Sequence, residues 1–126
     1  MNRSILIVDD SSVIRMFIRN YLTSEPEVEL REAVDGAKAV EAYRQSRPDL
    51  VFLDLTMPVM DGVTALGLIM EMDPSAYVVV VTADIQPRSI ERVLQMGAVS
   101  ILKKPPMKEQ VIEAFRAFEA RSRENS

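Results

Sequence analysis

Short apolar runs recur at residues 5–8 (ILIV), 50–53 (LVFL) and 77–81 (YVVVV), and each ends at a polar residue where turn chemistry begins. Runs this short and this apolar fit strands covered on both faces. Two weaker strands are expected at residues 28–33 and 99–102. Between the five lie segments with helical spacing, at residues 12–23, 36–46, 63–72, 87–96 and 107–121. Ser11 or Ser12 can cap the first helix and Asp35 the second, and Gly97 follows the fourth in the usual C-terminal position. Ala39, Val40 and Tyr43 form one apolar stripe, and Val111, Ile112, Phe115 and Phe118 form another. Regular β-α alternation with apolar strands implies an α/β fold. Its expected form is a doubly wound, five-stranded parallel sheet of order 2-1-3-4-5, with five helices on its two faces and right-handed crossovers.

With 126 residues there is room for one core. One domain over residues 1–121 and a polar tail at 122–126 are expected. The absence of cysteine and histidine removes thiol nucleophiles, thiolate metal sites and histidine bases or ligands. Any metal must be held by oxygens. A net charge of -4 offers no general attraction for nucleic acid or anionic membrane. No apolar stretch is long enough to span a bilayer, and the N-terminus does not read as a signal peptide. The expectation is a cytoplasmic protein that binds neither membrane nor nucleic acid.

In a sheet of this order strands 1 and 3 flank the switch point, where ligands bind outside the carboxyl ends of the strands. Strand 1 ends at Asp9 and Asp10, and strand 3 ends at Asp54. Three crowded carboxylates repel one another unless a cation sits among them, and magnesium or manganese with oxygen ligands suits such a set. The strand 4 end adds the Thr82 hydroxyl beside the small Ala83, and the strand 5 end adds Lys104. A metal, a mobile cation and a hydroxyl donor around a carboxylate are the parts that phosphoryl transfer to that carboxylate needs. Taken singly, these residues have plainer readings: Asp9 to Ser12 as a cap cluster, Lys104 as a surface charge, Thr82 as a strand-end hydroxyl. Their placement on one edge of one sheet carries the functional reading.

The sequence resembles the response-regulator receiver domain family, CheY-like, over nearly its whole length. The resemblance rests on ILIVDDS (5–11), AVDGA (33–37), PDLVFLDLTMPVMDG (48–62), VVVVTA (78–83) and GAVSILKKP (97–105). It implies a signalling switch of a two-component system that catalyses only its own phosphorylation and dephosphorylation. Asp54 is then the phosphoacceptor, and Asp10 the direct acidic metal ligand, with Asp9 acting mainly through a coordinated water. Thr56 offers its backbone carbonyl to the metal, Thr82 is the switch hydroxyl, Ala83 leaves room for the donor, and Lys104 contacts the phosphoryl group. A cis peptide before Pro105 is implied. Ile101 stands where the family usually has a gating aromatic. The implied partners are a histidine kinase or histidine phosphotransfer protein, and a downstream target on the face of helix 4, strand 5 and helix 5. Strand alternation sends Lys103 away from Lys104, so one of the two should reach the site. A phosphatase of another α/β family fits less well, because it would carry a second acid at Thr56. An unphosphorylated scaffold would not need the full acid set.

Overall fold

The computed structural model describes residues 3–124. Five strands, β1 (Arg3–Val8), β2 (Val28–Ala33), β3 (Leu50–Asp54), β4 (Val78–Thr82) and β5 (Ser100–Lys103), alternate with α1 (Ser12–Leu22), α2 (Gly36–Gln45), α3 (Gly62–Met72), α4 (Pro87–Gln95) and α5 (Lys108–Glu124). All strand pairs are parallel, in the order β2-β1-β3-β4-β5, as the alternation predicts.

The strands' period of two divides the core. Leu6, Val8, Val51, Leu53, Val78 and Val80 face α2, α3 and α4, where Tyr43, Leu66, Ile69 and Val93 meet them. Ile5, Ile7, Leu50, Phe52, Val79 and Val81 face α1 and α5, against Ile18, Leu22, Val111, Phe115 and Phe118. Every residue of β3 and β4 is buried, which is why those runs read as continuous rather than alternating. Complete burial of a side chain such as Phe52 contributes about 1.5–3 kcal/mol.

The helix starts follow local chemistry. Ser11 caps α1 by accepting from the Ile14 amide at 3.3 Å, and Asp35 caps α2 by accepting from Lys38 at 2.8 Å. Asp61, unread in the sequence, caps α3 through the Thr64 amide at 2.8 Å. Gly97 takes a φ of 116° just after α4, a conformation open to glycine.

Several element ends differ from expectation. β4 starts at Val78 and runs to Thr82, because Thr82 pairs with Lys103 at the end of β5. Tyr77 instead stands edge-on to Phe118 with ring centroids 5.3 Å apart. Helix α5 continues to Glu124, past the expected end at Arg121. Of the expected polar tail, 122–124 are thus helical, and the last two residues lie outside the described range. No helix among the described residues is long and apolar enough to cross a membrane.

Candidate functional site

The sheet delivers the expected acids to one place. Asp9 follows β1 directly, Asp54 closes β3, and carboxylate oxygens of Asp9, Asp10 and Asp54 all lie within 4.8 Å of one another. Asp9 and Asp54 are buried, whereas Asp10 is exposed. Lys104 reaches this cluster from beyond β5, its Nζ 2.8 Å from Asp54 Oδ1 and 3.0 Å from Asp9 Oδ2. Lys103 is exposed at the end of β5, so of the two lysines Lys104 is the one beside the acids. The peptide between Lys104 and Pro105 is cis, as the resemblance implied.

Asp9 and Asp54 share the one ammonium of Lys104. Burial pushes the Asp54 carboxyl up from its ordinary value. The Lys104 hydrogen bond pulls it back, and the Asp9 charge pushes it further up. Burial alone would lower Lys104, but the Asp54 hydrogen bond and the close Asp9 carboxylate outweigh that and hold it above its ordinary value. Asp54 Oδ1 also accepts from the Thr56 amide at 3.3 Å. Asp54 Oδ2 is buried without a hydrogen-bond partner, and Asp9 Oδ2 faces Lys104 without the alignment of a hydrogen bond. Buried carboxylate oxygens left open within an acidic cluster are what a hard cation with oxygen ligands satisfies, so the residues present fit magnesium or manganese.

Beside the acids lies an open cleft of about 500 Å³ lined by Asp54, Thr56, Thr82, Ala83, Asp84, Ile85, Gln86 and Lys104. The Thr82 oxygen accepts from the Asp84 amide at 3.0 Å, which leaves its own proton free to donate. Behind Thr82 a second cavity of about 180 Å³ runs between Thr56, Val63 and α4, where Arg92 and Val93 line it. Ile101 is not at the cleft. It is partly buried against the apolar layer under α2, α3 and α4.

The loop from β3 to α3 folds tightly back on the acid edge. The Gly62 amide donates to the Leu55 carbonyl at 2.9 Å, and a Cβ on Gly62 would sit 1.9 Å from the Asp54 carbonyl oxygen. Only glycine allows that approach. Val59, at the loop's tip, is 86% exposed and holds a φ of 69°. A β-branched residue is strained there.

Residues 5–116 match the response regulator receiver domain family. The chain is also 40% identical over 115 residues to the chemotaxis protein CheY of Bacillus subtilis, covering 91% of this chain and 96% of that one. The chain belongs to the response regulator receiver domain family. The CheY of Thermotoga maritima is 36% identical, covering 91% of this receiver chain and 96% of its own. Among solved structures, the CheX-CheY-BeF3-Mg complex of Borrelia burgdorferi contains a chain 34% identical, with a TM-score of 0.86, covering 91% of this chain and 87% of that one. The receiver fold and its CheY-like, two-component class are therefore established, and receiver domains are signalling switches.

Two features of this receiver site were missed in the sequence. Arg15 donates to the Asp9 carbonyl at 2.6 Å and to Glu32 at 2.7 Å. Asp84 accepts from the Ser89 hydroxyl at 2.7 Å and from the Gln86 amide at 3.1 Å, tying the start of α4 to the loop after Thr82. The helical spacing of 12–23 could have placed Arg15 one turn past Ser11, near the acids, but nothing in it points to Glu32.

Proposed function

We propose that Asp54 accepts a phosphoryl group from the phosphohistidine of a histidine kinase or histidine phosphotransfer protein. The observation that supports this reading best is the pairing of one Asp54 oxygen with Lys104 while the other stays buried and unpartnered. That second oxygen is free to act as nucleophile. In the transfer an Asp54 oxygen bonds to phosphorus, the phosphorus–nitrogen bond breaks, and the histidine ring leaves carrying the electron pair and takes up a proton. Lys104 sits where it can stabilise the equatorial oxygens, Thr82 can donate its hydroxyl proton to one of them, and Ala83 leaves the donor room. Asp9, Asp10, Asp54 and the Thr56 carbonyl would hold magnesium or manganese, with Asp10 direct and Asp9 through water. That ion would supply positive charge against the gathered carboxylates and the incoming phosphoryl oxygens.

Once Asp54 is phosphorylated, a charge-assisted hydrogen bond donated by Thr82 to a phosphoryl oxygen draws its hydroxyl toward the site, and with it the Asp84 amide that donates to that hydroxyl. The loop and helix after Thr82 shift, and the surface of α4, β5 and α5 presents the result to a downstream protein. Ile101, shorter and stiffer than an aromatic ring, keeps the change on β5 small. The Borrelia relative's complex with CheX, beryllofluoride and magnesium supports both the acid-site chemistry and the existence of protein partners for such chains.

Intact-mass measurement after incubation with a small acyl phosphate and magnesium tests the reading. One added phosphoryl group on the parent and none on Asp54→Asn is expected. Persistent modification of that variant rules Asp54 out as the sole acceptor.

A further inference from the structure

Arg15 makes a contact that phosphoryl chemistry at Asp54 does not call for. From α1 its Nη1 donates to the Asp9 carbonyl oxygen at 2.6 Å, and its Nε donates to Glu32 Oε1 at 2.7 Å. Glu32 lies on β2, and its other oxygen accepts from Arg19 at 2.8 Å. The Arg15 hydrogen bond holds the Glu32 carboxyl below its ordinary value, against the effect of burial and with help from Arg19. Arg15's side chain is 14% exposed, unlike a freely solvated arginine.

Asp9 is thereby fixed at three points. Its amide donates to the Ala33 carbonyl of β2 at 3.2 Å, its Oδ1 accepts from the Ser11 amide at 2.9 Å, and its carbonyl accepts from Arg15. Only Oδ2 remains, and it faces Lys104. The carbonyl that Arg15 grips belongs to the planar peptide joining Asp9 to Asp10, so its orientation sets the direction in which Asp10 leaves the strand. We propose that Arg15, braced by Glu32, is a positioning residue for the acid pair and so sets the divalent-cation affinity of the site. This rests on the reading of Asp9 and Asp10 as metal ligands.

Charge alone predicts the opposite sign. A guanidinium near a cation site repels the cation, so removing it should tighten binding. Lysine keeps the charge but lacks the planar fork that bridges two acceptors. The two accounts therefore separate in conservative variants.

The test is calorimetric titration of magnesium into the parent, Arg15→Lys, Glu32→Ala, Glu32→Gln and the Arg15→Lys/Glu32→Ala double variant, with thermal melts alongside. Arg15→Lys and Glu32→Ala should each weaken magnesium about tenfold, the scale seen when partners that orient metal ligands are lost. Glu32→Gln should keep most of the affinity, since an amide oxygen still accepts from Nε. The double variant should lose no more than either single one. Parent-like affinity in Arg15→Lys overturns the proposal, as does equal damage from Glu32→Gln and Glu32→Ala. A lowered melting temperature with unchanged affinity also overturns it, leaving Arg15 a strut only. A parent that binds no magnesium overturns the metal-site reading itself, and the clamp with it.

Discussion

Helices α4 and α5 lead into and out of the same edge strand, β5, and are held in opposite ways. α5 buries Val111, Ala114, Phe115 and Phe118, with Phe118 edge-on to Tyr77. α4 buries Val93 alone, and its cap residue Gln86 makes no side-chain hydrogen bond to the helix. Its first turn is tied down by Asp84, which accepts from Ser89 and whose amide donates to Thr82. Packing fixes α5, whereas the start of α4 is held by an exposed hydrogen bond from Ser89 to Asp84 and a half-buried one from the Asp84 amide to the Thr82 hydroxyl. Such bonds contribute little net free energy each, so an element held by them moves at low cost. The difference places the more loosely held helix next to Thr82, the hydroxyl to which the switch role is proposed.

Core truncation should show the contrast at its largest. Phe115→Ala should cost about 3–5 kcal/mol in urea unfolding, and Val93→Ala roughly 1–3 kcal/mol. Equal losses would break the contrast. A middle case sits at the end of α3, on the same face as α4. There Asp73 accepts from the Tyr43 hydroxyl at 2.5 Å, from Arg47 and from Ser75. The Tyr43 hydrogen bond, opposed by burial and aided by Arg47 and Ser75, holds the Asp73 carboxyl well below the usual carboxylate range. A depressed carboxyl adds stability that is fully present above its unfolded value near 4 and is lost as pH falls through the folded value. Asp73→Asn should therefore cost about 1–3 kcal/mol at pH 7, and the gap from the parent should narrow below about pH 4. A gap that does not change with pH would show that the charge is irrelevant to this anchor.

The smallest effect should belong to the α4 tie. Ser89→Ala should leave the melting midpoint in place while amide exchange in the first turn of α4 quickens. With a phosphoryl mimic on the parent, protection changes should concentrate at residues 83–96. Changes confined to β5 would reverse the roles assigned to the two sides of Thr82.

Much of this arrangement was legible in the sequence, for physical reasons that also mark where legibility stops. Runs such as LVFL announce a strand because a central parallel strand admits no polar face, and strand ends locate Asp9, Asp54 and Thr82 almost directly. Alternation separates Lys103 from Lys104, but the preference for Lys104 came from the resemblance, through the lysine directly before Pro105. Arg15 and Glu32 could not be joined, because each alone looks like a surface charge and only the β2–α1 approach brings them together. Asp84 and Ser89 are close in sequence, yet their bond depends on a loop conformation that no periodicity encodes. Val59 gives no warning of its positive φ, since its residue type argues against one. The boundary of β5 was missed by one residue because it is set by pairing with Thr82, not by apolar content.

The span of chain between the site's members bears on how the protein is made. Asp9 and Lys104 come from opposite ends of the sequence, and their contact is formed only when the last strand pairs with β4. Long-range pairings of this kind form late, since chain must be ordered before they are rewarded. A nascent or truncated chain that has assembled β1 to β4 has the acids in place but not the ammonium that holds Asp54. Under the proposed chemistry such a chain accepts phosphate poorly, and competence to signal becomes a report that synthesis and folding have reached the final strand.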